Sequence, residues 1–272
     1  MIAGMFCLPI VDALSKLVTT DYAAEQITFV RNLIHALVAL PLVLYRESPK
    51  AVFRHLNALQ FLRGLFFVGM TVTYVFALRW MPIADALATT FAFPFVIVLL
   101  SPWLLGERPG LRRWVAVIAG FVGICFIIRP GVGIINPGLP FAIAAMFCTA
   151  GYVLLTRMLA GTAPSLVMMF LPALVASATL ATYVPIVWVT PAALDWVVMI
   201  AIGVFAALAH YLIVLAYRFG QASQIAPLTY VQMVFAVAFG YAIFGDLPDL
   251  WVVTGIVLIV SGCVFIAWRE HS

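Results

Sequence analysis

Asp12 and Lys16 stand four residues apart in a run that is otherwise almost wholly apolar, so on a helix they share one face. If that run spans a bilayer, a charge near its middle costs about 2.5–3.5 kcal/mol on insertion scales, and such a group tends to face a cavity or a partner. Two readings of the pair stand side by side. In one, Asp12 is a proton site or ligand contact whose protonation is set by its neighbour. In the other, the two form a structural pair near the helix end, with Lys16 snorkelling to water.

Arg31 and His35 repeat the four-residue spacing in the next apolar run, and Thr28 falls on the same face. Arginine keeps its charge, so Arg31 needs an anion. That anion is Asp12, Glu25 or a bound carboxylate or phosphate gripped by paired hydrogen bonds. The competing reading is a clamp between helices. His35 could exchange a proton near neutral pH or serve only as packing.

Further along, Thr89, Thr90 and Pro94 lie in one run, and Pro227, Thr229, Tyr230 and Gln232 in another. A proline inside a helix leaves a carbonyl without its N–H partner, so such helices bend and can line a site. Tyr230 and Gln232 offer an aromatic face and an amide, which suit a planar heterocycle; helix-to-helix hydrogen bonding is the plainer alternative. His210 with Tyr217, and Thr149 with Tyr152 and Thr156, form a second tier on shared helix faces.

Cys7, Cys125, Cys148 and Cys263 all lie in apolar runs without CxxC spacing, and read as small buried hydrophobes. There is no HExxH, no Walker loop and no GxSxG. No enzyme activity, metal or cofactor is therefore expected, nor ATP-driven work by this chain itself.

The elements that must hold these residues can be read from composition. The 272 residues are 66% hydrophobic and 9% charged, against about 45–50% apolar and 25% charged in a soluble domain. The net charge of +4 is too scattered for a nucleic-acid footprint. A spanning helix needs about 20 mostly apolar residues. Ten stretches fit: 2–19, 26–45, 59–79, 83–105, 111–129, 137–156, 164–187, 194–217, 222–244 and 249–268. Many connections carry turn residues, as in Glu47-Ser48-Pro49-Lys50 and Arg129-Pro130-Gly131. The runs are continuous and do not alternate with period two, which excludes a barrel. No secretory leader is expected, because Asp12 and Lys16 interrupt the first run; whether a short lead precedes Met1 is left open. With the N-terminus inside, ten Lys and Arg fall on the inner side, Arg63 among them, and three on the outer side, so both termini are expected in the cytoplasm.

The chain also repeats itself. Ala77 to Arg129 returns as Ala216 to Trp268 at a shift of 139, pairing Arg79 with Arg218, Thr90 with Thr229 and Gly106-Glu107 with Gly245-Asp246. At a shift of 141, Met5-Phe6-Cys7 returns as Met146-Phe147-Cys148. Residues 1–130 and 131–272 are thus two units of five spans. Five is odd, so the second unit must run upside down. Inverted repeats of this kind suit alternating closure around a central site. Gly106-Glu107 and Gly245-Asp246 read as helix terminators that also cap the next helix. Ala116 and Gly123, with their equivalents Gly255 and Gly262, read as a seam of close helix packing and a candidate homodimer contact.

The sequence resembles the EamA type of the drug/metabolite transporter superfamily over nearly its whole length. The residues that carry this are Leu62-Arg63-Gly64, Ala84-Asp85-Ala86, Leu104-Leu105-Gly106-Glu107, Arg113-Trp114, Gly120-Phe121-Val122-Gly123, Ala226-Pro227 and Phe244-Gly245-Asp246. Asp12-x-x-x-Lys16 followed by Glu25 and Arg31 is similar to the branch holding riboflavin and S-adenosylmethionine carriers. The resemblance implies an all-α inner-membrane protein of ten transmembrane helices as two inverted five-helix repeats. It implies a secondary transporter of a small organic metabolite, with an amino-acid or drug exporter as the alternative. It also implies that the first, third, fourth, sixth, eighth and ninth spans surround the cavity. The candidate substrate-binding or coupling residues are Asp12, Lys16, Arg31, His35, Thr89, Thr90, Tyr152, His210, Thr229, Tyr230 and Gln232. Proton coupling through Asp12 or His35 is a further expectation. A membrane scaffold or a lipid enzyme is the alternative outside transport.

Overall fold

The computed structural model describes residues 1–55, 57–104, 115, 118–119, 122–123, 125–126, 136–159, 162–219 and 231–269. Among these there is no strand. The helices are α1 (Ile2–Val18), α2 (Ala24–Arg46), α3 (Pro49–Arg54), α4 (Ala58–Trp80), α5 (Ile83–Thr90), α6 (Phe93–Leu104), α7 (Leu139–Met158), α8 (Ser165–Ala181), α9 (Val184–Val187), α10 (Ala193–Phe219), α11 (Val231–Phe244) and α12 (Leu250–Arg269). Five stretches are long and apolar enough to cross a membrane: Ala24–Arg46, Ala58–Trp80, Ile83–Leu100, Leu139–Thr156 and Ala193–Ile213. The span expected at 111–129 lies mostly outside the described residues, as does the start of the one expected at 222–244.

Local chemistry sets several boundaries. The Asn57 side chain accepts a hydrogen bond from the Gln60 amide at 2.9 Å and caps α4. The stretch read as one span over 83–105 is broken at Phe91–Ala92, because Pro94 has no N–H to give to the carbonyl of Thr90. The turn read at 47–50 instead opens α3, with Pro49 as its first residue. Gly245 ends α11 in the left-handed region, at φ 71°. The Gly245 amide bonds to the Tyr241 carbonyl at 3.0 Å and the Asp246 amide to the Gly240 carbonyl at 3.1 Å, a Schellman ending. The cap of α12 is Asp249, whose carboxylate accepts from the Val252 amide at 3.0 Å.

The packing partners exchange when each is moved by half the chain. α4 packs on α7, and α10 packs on α1; α4 packs on α8, and α10 on α2; α1 packs on α11, and α7 on α5 and α6. Two glycines show the same exchange at atomic scale. A Cβ on Gly64 would overlap Val175, and a Cβ on Gly203 would overlap Ile34. Gly64 and Gly203 differ by 139 in the numbering, and Ile34 and Val175 by 141. Glycine at both points lets the helix backbones approach closely. Gly123 meets the Gly255 carbonyl, where a Cβ would stand at 2.9 Å. That seam therefore closes within one chain and does not need a second copy. Ala116 and the side-chain surroundings of Gly262 lie outside the described residues.

The connections are tied in pairs. The Tyr22 hydroxyl donates to Asp195 at 2.6 Å, and this carboxylate raises the Tyr22 pKa above its usual value. The Gln26 amide bonds to the Val189 backbone in both directions, at 2.6 and 2.9 Å. Asn136 donates to the Trp80 carbonyl at 2.9 Å. Lys16 Nζ meets Asp246 Oδ2 at 2.7 Å and lies 4.6 Å from the centre of the Phe244 ring. This corrects two readings. Lys16 pairs across the bundle with Asp246 and not with Asp12, and Asp246 is an ion-pair partner and not the cap of the next helix.

Candidate functional site

A cavity of about 170 Å³ lies where α1, α2, α4, α5, α7, α10 and α11 converge. Asp12 enters it from α1, Arg31 from α2, Thr71 and Tyr74 from α4, Thr90 from α5, Thr149 from α7, His210 from α10 and Gln232 from α11. Leu8, Met70, Leu87 and Phe91 close its apolar side. Two pairs of lining residues are repeat equivalents: Leu8 with Thr149, and Thr71 with His210.

Its electrostatics are set by two charges. Asp12 is 6% and Arg31 8% exposed, and the two are near enough to attract each other. Among the described residues they nevertheless form no ion pair with one another, and Arg31 forms none with Glu25. Glu25 is six residues from Arg31, which puts it on another face of α2. The clamp considered from the sequence is therefore absent. Among the described residues, Asp12 Oδ2, Arg31 Nε and the Tyr74 hydroxyl make no hydrogen bond of good geometry, although the Tyr74 hydroxyl and the Gln232 amide stand beside the Asp12 carboxylate. Buried polar atoms are normally satisfied, so this concentration needs an explanation.

The threonines are spoken for on one side only. Thr71, Thr90 and Thr149 each donate their hydroxyl proton to the carbonyl four residues back, at 2.8, 2.9 and 2.7 Å. What they present to the cavity is oxygen lone pairs, which accept. His210 Nδ1 lies 2.8 Å from the Ala206 carbonyl, which can only accept, so Nδ1 carries the proton. The His35 ring lies 5.0 Å from the His210 ring, centre to centre, tilted by 32°.

The structure brings Asp12, Arg31, Thr90, His210 and Gln232 to one cavity, with His35 directly behind His210. It does not bring in Lys16, Thr89 or Tyr152. Thr89 is fully buried and its hydroxyl serves the Asp85 carbonyl at 2.9 Å. Tyr152 packs on Phe67 and under the Arg63 guanidinium, 5.6 Å from its ring centre. Thr229, Tyr230 and the side chain of Tyr217 lie outside the described residues. Sequence reasoning missed Tyr74 and Thr71; shifting His210 back by 139 would have found Thr71. It also missed Asn32, which is fully buried with neither side-chain polar atom bonded among the described residues. Arg63, counted as a helix end facing the inner side, is fully buried and donates to the Met168 sulfur at 3.3 Å and to the Met168 carbonyl.

A buried polar cavity lined from seven helical segments invites comparison with known carriers. The model of the EamA-like transporter family matches residues 1–129 and again 136–268. The chain belongs to the EamA-like transporter family. It is a transporter of the drug/metabolite superfamily and a multi-pass membrane protein. It is 26% identical to the S-adenosylmethionine uptake transporter of Rickettsia prowazekii, over 96% of this chain and 88% of that one. It is 27% identical to the pseudopaline exporter CntI of Pseudomonas aeruginosa, over 97% and 93%. It is 25% identical to the riboflavin transporter of Vibrio cholerae, over 99% and 92%. One solved protein structure shares the fold, with a TM-score of 0.63 at 21% identity over 99% of both chains.

Proposed function

We propose that this family member is a secondary carrier that moves a small organic metabolite across the inner membrane by alternating access. In this reading ten spanning helices form two inverted five-helix repeats, with both termini in the cytoplasm. The observation that carries it is the lining of the cavity by repeat equivalents, Leu8 with Thr149 and Thr71 with His210. A site shared by two related units can be exposed by rocking one against the other. The exchange of packing partners and the matched Gly64 and Gly203 contacts support the same arrangement.

The substrates to test first are S-adenosylmethionine and a riboflavin-like flavin, after two of the chain's relatives. Export of an amino-acid-derived or drug-like solute is the second reading, favoured by the pseudopaline exporter among those relatives. Proton coupling through Asp12 or His35 belongs to the proposal, and the His35 ring lies 5.0 Å from that of His210 inside the bundle. Proteoliposome uptake of labelled S-adenosylmethionine and riboflavin, with and without a pH gradient, tests the proposal. Saturable uptake of either, or of an amino acid, supports it. Empty-liposome rates for every solute of the panel refute it, and a rate indifferent to the gradient removes proton coupling alone.

A further inference from the structure

We propose that the Asp12–Arg31 cavity recognises a zwitterionic end of its substrate, an ammonium-and-carboxylate group of α-amino-acid type, with the carboxylate on Arg31 and the ammonium on Asp12. The inference rests on the transport reading and adds the chemistry of the site.

Four observations lead there. First, both side chains are more than nine-tenths buried and reach one cavity, yet they do not pair. Opposite charges free to meet in a low-dielectric interior would do so, because their attraction there is strong. The two are near enough to attract each other but lie beyond ion-pair distance. A ligand carrying a single charge would satisfy one of them and leave the other alone, whereas one carrying both signs satisfies both. Second, the neighbouring threonines have given their protons to their own helices and present only acceptors. That lining suits an ammonium beside Asp12. Third, the charges break the internal repeat: the equivalent of Asp12 is Val153, and that of Arg31 is Pro172. The shared scaffold does not need them. Fourth, about 170 Å³ is less than the roughly 300–1,000 Å³ of a site that encloses a whole drug-sized ligand. The cavity therefore takes one end of the molecule.

The test uses the full chain in detergent and four probes: S-adenosylmethionine, its decarboxylated form, 5′-methylthioadenosine and riboflavin, with the twenty amino acids as a second panel. Binding is followed by calorimetry. Loss of the carboxylate or of the whole amino-acid end is expected to weaken binding about tenfold or more. Arg31→Gln should remove the difference between S-adenosylmethionine and its decarboxylated form, and a purely structural arginine would leave that ratio intact. Asp12→Asn should weaken every zwitterion and leave 5′-methylthioadenosine unchanged. The melting temperature of each variant shows that it is folded. Equal binding of the intact and decarboxylated probes overturns the proposal. So does riboflavin binding with no zwitterion from either panel, in which case transport stands and the zwitterion falls. If no probe binds and none is taken up by proteoliposomes, both fall.

Discussion

Lys16 and Asp246 are 230 positions apart in the chain and meet in an ion pair 2.7 Å long. The pair fastens the end of α1 to the connection after α11. Both side chains are partly exposed, at 16% and 30%, so the pair contributes little stability, about 0.2–1 kcal/mol. Its effect should be on rate. Asp246→Asn and Lys16→Met are each expected to change initial uptake at least severalfold with a nearly unchanged melting temperature. The exchanged variant, Lys16→Asp with Asp246→Lys, should recover part of the rate. A double-mutant cycle without coupling would remove the latch.

Gly64 and Gly203 should respond alike. A methyl at either point runs into a β-branched side chain of the facing helix. Overpacking of this kind typically costs about 1–3 kcal/mol. Gly64→Ala and Gly203→Ala are expected to lower the melting temperature by similar amounts. Pairing Gly64→Ala with Val175→Ala, or Gly203→Ala with Ile34→Ala, should restore part of it. A loss at only one of the two glycines would contradict their equivalence.

Arg63 is a second buried guanidinium, with the Met168 carbonyl and the Tyr152 ring as its partners. Lysine lacks the planar fork that reaches both. Arg63→Lys should therefore destabilise the bundle by about 1–3 kcal/mol, read as a lower melting temperature in detergent. An unchanged value would mean that the contact with Met168 carries no weight.

Much of the architecture was legible in the sequence because membrane helices announce themselves by long apolar runs, and the ends of α2, α4 and α10 fall within two residues of the runs read there. The break at Phe91–Ala92 was half legible, through Pro94. The partner of Lys16 was not. Spacing on one helix favours Asp12, and only the docking of α11 against α1 brings Asp246 within reach. Tyr74 and Arg63 escaped for a related reason. A tyrosine in an apolar run resembles core, and an arginine five residues inside α4 resembles a helix end, until α7 and α8 cover it. Of the candidates that came together, Asp12, Arg31, His210 and Gln232 stand out in the sequence as polar groups in apolar runs.

The histidine pair makes a separate prediction. His210 Nδ1 is held by the Ala206 carbonyl, while neither nitrogen of His35 has a hydrogen-bond partner among the described residues. Arg31 and Asp12 are the charged groups that face the same region. In a proton-coupled carrier that uses this pair, His35→Gln and His210→Gln should each displace the pH profile of uptake. Identical profiles in both variants and the parent would take the pair out of the cycle.

The most direct measurement of the central claim is access to the cavity from each side of the membrane. Thr149→Cys places a thiol in the cavity lining, in a background with Cys7, Cys125, Cys148 and Cys263 replaced by alanine. In oriented vesicles, a membrane-impermeant thiol reagent is applied from one side and then from the other. Alternating access predicts labelling from both sides, slowed by a transported solute on each. Labelling from one side only, unaffected by any solute that the protein carries, would contradict it.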